Sequence, residues 1–466
     1  MNFLPNSAAA RDIAHVMHSY TNQIAHRRKG PFIVTGGEGI YVHDENGKAY
    51  IDGLSGLWCA SLGYSEEALI EAAIKQMRIL PTYHTFQHKS SNPSIDLAEK
   101  IKEVLPVPMS KVFFANSGSE ANDTLVKLIR YYNNALGRPL KKKVISRVQA
   151  YHGVTLVAAS LTGLAVNHQD FDLPLEGILH AACPNYYHGG HEGESEEDYA
   201  TRLADELDQM IVAEGPETVA AFIAEPVMGA GGALTPPATY FDKIQPVLKK
   251  HDVLFCVDEV ICGFGRTGNM FACETYDLKP DTVTMAKALS AAYMPISALA
   301  INDKMFEVIA AESDKVGTFA HGFTYSGHPV ASAVALRAIE LYEERDIVGH
   351  VRDIAPHFQE RLHGFTDHPM IGTVTGVGLM GGIEYIADKA ARTHFEPAGK
   401  VAAKVTEFAE LRGLIARPMF ERTVSAPPLI ITHDEIDEMF DRYAKALDDT
   451  WVWVQAGGLE ASGDGA

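Results

Sequence analysis

The chain reads as an α/β protein built around a parallel or mixed sheet, and three observations carry that reading. From about residue 95, short apolar runs at 112–114, 143–146, 220–224, 253–257 and 283–285 recur with helical stretches between most of them. The runs are apolar on both faces, as strands covered by helices on both sides must be. Two of them deliver ionisable side chains at their carboxyl ends, Asp258 with Glu259 and then Lys287. Open α/β sheets hold their ligands at those ends.

Taken in order, residues 1–30 form a polar, histidine-rich arm without strong periodicity. Residues 40–44 and 49–52 read as antiparallel strands flanking Glu45-Asn-Gly-Lys48, where Asn-Gly signals a hairpin turn. Leu69, Ile70, Ala73, Ile74 and Met77 have helical spacing over 66–77, and Pro81 follows. A further helix is expected over 240–250, and the Gly/His/Glu-rich stretch 186–198 as a solvated loop. After Pro329 a long helix over 330–344 leads into a second unit. That unit holds Gly376-Val-Gly-Leu-Met-Gly-Gly-Ile-Glu384, a helix over 398–412 and a last helix running to about 454. Thr432 and Glu435 form a capping box at the start of the last helix. The Gly/Ser/Asp-rich tail from Gln455 is expected to be disordered. The chain divides into an arm with part of a small domain (1–65), a large domain (66–329) and the rest of the small domain (330–466).

The 466 residues carry a formal net charge of −20, which argues against a general nucleic-acid binder. Five cysteines with no C-x-x-C fit a reducing cytoplasm, and Cys256 reads as a small core residue. Met1-Asn-Phe-Leu-Pro does not lead a basic and then an apolar stretch, so no signal peptide is expected. No run is apolar for long enough to span a membrane.

Ser117-Gly-Ser-Glu-Ala-Asn122 follows a strand and opens a helix. It reads either as a phosphate cradle at Gly118 and Ser119 or as a plain cap by Ser117 and Glu120. Tyr151-His152-Gly153 offers an aromatic that stacks on a flat ring, or simply a buried tyrosine. Gly263-Phe-Gly-Arg-Thr-Gly268 matches G-x-G-x-x-G, but no long helix and no suitably placed acid follow it. It is read as a tight loop between a strand and a partner surface. His188-Gly-Gly-His191-Glu192 has metal-ligating residue types in a solvated setting, and no metal is assigned there. Asp258 and Lys287 remain the strongest pair: an acid and an amine in an apolar setting suit a Schiff-base lysine beside a charged heteroaromatic cofactor. Burial lowers the lysine pKa and eases imine formation.

Ser117-Gly-Ser-Glu-Ala-Asn122, Tyr151-His-Gly153, Asp258-Glu-Val260, Lys287 and Phe323-Thr-Tyr-Ser-Gly-His328 together resemble the class III aminotransferases in both content and order. These are pyridoxal-phosphate enzymes of fold type I. Leu57-Trp-Cys-Ala-Ser-Leu-Gly63 and Val424-Ser-Ala-Pro-Pro-Leu-Ile430 look most like their ω-amine:pyruvate branch. The resemblance implies that Lys287 forms the imine with pyridoxal 5'-phosphate and later carries the proton. Asp258 pairs with the pyridine nitrogen, and His152 belongs to the same cofactor site. Tyr151 stacks on the ring and Val260 packs its other face. Ser117, Gly118 and Ser119 match the phosphate cradle, Thr324 a residue reaching the phosphate from a partner subunit, and Glu225 a carboxylate near substrate. A homodimer with shared sites follows, with pairing into tetramers left open.

For substrate, the resemblance implies a pocket of Trp58, Phe86 and Tyr151 with room left by Ala230, and Arg417 binding the acceptor's carboxylate. Ala288 and Gln87 depart from many relatives, which have glycine and a second aromatic there. The expected reaction transfers an amino group from an amine or ω-amino acid to pyruvate by ping-pong kinetics. A transaminase of taurine, β-alanine or diamines, an aminomutase, and a nucleotide-binding protein using the Gly263 loop stand as alternatives.

Overall fold

Residues 4–460 are described by a computed structural model. Val34–Glu38 (β1), Tyr41–Asp44 (β2) and Ala49–Asp52 (β3) form an antiparallel meander, with Gly47 at φ 79° in the turn. The expected hairpin is therefore present. The arm before it holds two short helices, Ala8–His15 and Gln23–Lys29, capped by the side chains of Ser7 and Asn22. They are too short to show in a periodicity and depend on their caps and contacts.

The large sheet contains Lys111–Ala115 (β4), Lys143–Arg147 (β5), Ile178–Ala181 (β6), Val219–Ala224 (β7), Leu254–Asp258 (β8), Thr282–Met285 (β9) and Ser297–Ile301 (β10). Their order is β4-β10-β9-β8-β7-β5-β6. Only β10 runs against its neighbours β4 and β9. Residues of β7, β8 and β9 are buried throughout, which explains their unbroken apolar runs. Cys256 is fully buried, as expected for a core residue.

The second unit is a four-stranded sheet of Ile371–Val377 (β11), Met380–Tyr385 (β12), Arg417–Met419 (β14) and Arg422–Ser425 (β15), in the order β11-β12-β15-β14. Leu414–Ile415 (β13) instead joins β3 in parallel, so segments from the two ends of the chain share a sheet. The helices Pro329–Glu344, Lys400–Leu411 and His433–Gln455 agree closely with expectation, and the last carries the reciprocal Thr432–Glu435 capping box.

Three expectations change. The stretch 186–198 is not all loop: Tyr186–Gly189 is helical, and Ser195 caps Glu196–Glu214, so the acidic run forms a helix's first turn. Negative charge is favourable there, which reconciles its polarity with order. The Gly263 loop packs within its own chain, where buried Arg266 donates to the carbonyls of Leu379 and Pro427 at 3.0 and 2.6 Å. Gln455–Glu460 is not disordered but closes the last helix, held by Lys400 Nζ on the carbonyls of Gly458 and Leu459. The remainder of the expected tail, 461–466, lies outside the described residues. No helix among the described residues is long and apolar enough to cross a membrane.

Candidate active site

The carboxyl ends of β5, β7, β8 and β9 converge on a cavity of about 530 Å³. Each strand contributes one or two side chains just as its ladder ends: Tyr151 and His152 beyond β5, Glu225 after β7, Asp258 closing β8, and Lys287 after β9. Gly118 and Ser119 line the cavity from the start of the helix Gly118–Ala135, which follows β4.

Asp258 is buried. Its Oδ2 accepts from Asn122 Nδ2 at 2.9 Å and lies 2.8 Å from His152 Nδ1, and its Oδ1 accepts from the Val260 amide at 3.0 Å. Asn122 is fixed in turn by donating to the His152 carbonyl. The carboxylate is thus oriented by Asn122, His152 and a backbone amide and, among the described residues, bonded to no lysine or arginine, which leaves its charge available to a cationic group in the cavity.

Lys287 has φ 51°, in the left-handed region, where a non-glycine residue is held only by its surroundings. Lys287 is half-buried and lines the cavity, with packed protein around it. That desolvation lowers its pKa, opposed by the nearby charge of Asp258. Burial raises the Glu225 carboxyl above its ordinary value, opposed first by His152. Glu225 accepts from the amides of Tyr151 and Gly229 at 3.0 and 3.1 Å, so it braces two cavity loops.

At the helix opening, Ser117 Oγ accepts from the Glu120 amide at 3.2 Å, and Glu120 Oε2 accepts from the Asn116 amide at 2.7 Å. The capping reading of Ser117 is therefore realised, and Ser117 does not line the cavity. It does not exclude an anion, because the first amides of a helix have no partner within it. Ser119 Oγ accepts from the Val154 amide at 3.1 Å. Gly153, at φ 134°, passes so close that a Cβ there would sit 2.4 Å from Ser119 Oγ.

Trp58, Val260, Ala230 and Arg417 also line the cavity, as expected. Arg417 comes from β14 and is half-buried; desolvation lowers its pKa, and it lies within electrostatic reach of Tyr151 and Lys287. Phe86 and Thr324 are not brought to the cavity. Both are exposed and belong to adjoining segments: a Cβ added to Gly322 would lie 3.0 Å from Phe86 Cζ. Sequence reading missed Tyr20, Leu57, Leu164, Val166, Asn167 and Phe420, which also line the cavity. Tyr20 comes from the arm, accepts from Asn167 Nδ2 and lies within electrostatic reach of Tyr151. None of these positions carries a local signal for binding.

Pyridoxal phosphate fits the residues present. The buried Asp258 suits a protonated ring nitrogen, the helix opening suits a phosphate, and Lys287, whose pKa burial lowers, suits a carbonyl carbon.

The chain matches the aminotransferase class-III family over residues 24–447. It is 52% identical over 421 residues to a chloroplastic γ-aminobutyrate transaminase of Solanum lycopersicum, covering 90% of this chain and 81% of that protein. It is 51% identical over 421 residues to a vanillin aminotransferase of Capsicum frutescens, covering 90% and 92%. Its fold superposes on an ω-transaminase from Pseudomonas jessenii in complex with PMP with a TM-score of 0.96 at 50% identity, covering 97% of this chain and 100% of that one. With its large mixed sheet, its smaller second sheet and a cavity furnished for the same cofactor, the chain belongs to the pyridoxal-phosphate-dependent class III aminotransferases.

Proposed function

We propose that the protein transfers an amino group from an amine or ω-amino acid to pyruvate, giving alanine, in two half-reactions at one site. The observation that carries this reading is the placement of Arg417 beside Tyr151 and within reach of Lys287, in a cavity whose apolar wall includes Trp58, Leu57, Leu164 and Val166. A guanidinium there binds a carboxylate in either half-reaction, from a keto acid or from an ω-amino acid, and the apolar wall takes an uncharged substituent.

When bound, pyridoxal phosphate supplies a carbonyl that accepts amines and a ring that takes up the electron pair left by a broken C–H bond. Asp258 keeps a proton on the ring nitrogen, because a buried negative charge favours the cationic form. His152 and Asn122 hold that carboxylate in one orientation. Lys287 Nζ, with its uncharged fraction raised by burial, would take up and give back the proton of the donor carbon. Tyr151 and Val260, both on the cavity wall, would pack against the ring. Gly118 and Ser119 receive the phosphate.

Each site is proposed to be completed in a homodimer. Support comes from Phe86 and Thr324, two residues matched to the family's site that are exposed together away from this chain's own cavity. A reducing cytoplasm is the proposed compartment, consistent with five unpaired cysteines.

The test is a donor panel containing 1-phenylethylamine, 4-aminobutanoate, β-alanine, taurine and diamines, each with pyruvate. Alanine formed with at least one donor supports the reading, and the ranking of donors identifies the physiological class. No alanine with any of them overturns it.

A further inference from the structure

A second set of convergent ligating atoms lies in the N-terminal arm. Asp12 belongs to the helix Ala8–His15, His26 to the helix Gln23–Lys29, and His18 to the link between them. His18 Nε2 lies 2.8 Å from Asp12 Oδ2, and His26 Nε2 lies 2.9 Å from the same oxygen. The two imidazole rings are 4.0 Å apart at their centroids. His26 is buried, and the other two are partly so. One carboxylate oxygen and two ring nitrogens therefore face one small volume, all within 4.8 Å of one another.

The same link carries Tyr20, whose φ of 48° turns the chain sharply. Tyr20 lines the cavity that holds Lys287, alongside Tyr151, and accepts from Asn167 Nδ2. The ligating residues flank Tyr20 in sequence, so whatever joins them fixes this residue at the cavity.

We propose that Asp12, His18 and His26 form a site for a divalent transition-metal cation, which clamps the arm with Tyr20 over the substrate cavity. Two imidazoles and one carboxylate are the donor set of zinc-like cations and a poor one for magnesium or calcium. To ligate, each imidazole presents its Nε2 lone pair and carries its proton on Nδ1. Ligands at about 2.0–2.2 Å from a metal stand somewhat further apart than these hydrogen-bonded atoms, so the side chains part slightly as the cation enters. Three protein ligands leave a position for water, which makes the clamp reversible.

A second cluster, His188 and His394 around Glu384, has the same residue types but a different balance. Its carboxylate is already paired with the buried Arg422, Nη1 to Oε2 at 3.1 Å. A cation entering there meets a fixed positive charge, so this cluster serves as the internal control.

The experiment uses untagged, cofactor-loaded enzyme, stripped of metal with a chelator and titrated with cobalt(II). Visible d–d absorption saturating at one equivalent per chain is expected. It is lost in His18→Ala/His26→Ala and kept in His188→Ala/His394→Ala. Retention of the cofactor's own visible band shows that each variant is folded. Cobalt is expected to lower KM for the amine donor several-fold with little change in kcat, and to leave KM unchanged in Tyr20→Ala. Absence of stoichiometric binding, or d–d bands that survive loss of His18 and His26, overturns the site. Binding without a KM change overturns the clamp. The spectroscopic outcome is independent of the transaminase reading, and the KM outcome rests on it, so the two fail separately.

Discussion

At Lys287 the backbone sits in the left-handed region while the amine faces a carboxylate-bearing cavity. Lys287→Ala is expected to lose the visible band of the lysine-bound cofactor and to slow each half-reaction by about 10²–10⁴-fold or more, measured by single-turnover absorbance. Arg417→Leu is expected to raise KM for pyruvate by roughly ten- to a hundredfold, the size of a lost charge-assisted hydrogen bond. KM for an uncharged amine should change far less, and initial rates at varied substrate distinguish the two. Glu259 predicts a pH effect on stability rather than on chemistry. Its Oε1 accepts from the Cys273 amide at 2.7 Å, its Oε2 has no hydrogen-bond partner among the described residues, and burial pushes its carboxyl from 4.5 up to about 7. The folded state thus holds a proton that the unfolded state has released. The contribution is whole below pH 4.5 and is lost as pH rises through 7, a swing of about 3 kcal/mol. Glu259→Gln should flatten that slope in urea midpoints taken across pH 4.5–8; an unchanged slope would show that the group is not the source.

Among elements, those with their own sequence logic were readable. The last helix announces itself by Thr432 and Glu435, and both bonds of the capping box form. Thr432→Ala is expected to cost about 1 kcal/mol, seen as a lower denaturant midpoint with an unchanged slope. The buried strands β7, β8 and β9 were legible because covered strands need apolar residues on both faces. So were Asp258 and Lys287, which mark where those strands stop. The strand β10 was not picked out. Ser297-Ala-Leu-Ala-Ile301 is too short and alanine-rich to separate strand from helix, and only its pairing with β4 and β9 decides the matter. The same holds for Tyr20, Asn167 and Val166: tertiary packing delivers them to the cavity, and no spacing in the chain records it. Gly263-Phe-Gly-Arg-Thr-Gly268 shows the converse, a motif with a recognisable pattern whose setting makes it an internal brace through Arg266.

For the molecule as a whole, the exposed pair of segments around Phe86 and Thr324 predicts that the working unit contains two chains. Light scattering on the cofactor-loaded enzyme should give at least twice the chain mass, with activity falling on dilution in step with dissociation. A fully active monomer would contradict this. The sheet shared by the two ends of the chain has a separate consequence for biosynthesis. Ile51 leaves the ribosome long before its parallel neighbour Leu414. Until then the outer rim of that early meander offers bare amides and carbonyls to any passing strand. Nascent chains stalled before β13 should therefore be the species that clump, and chaperone demand should end abruptly once the late segment docks.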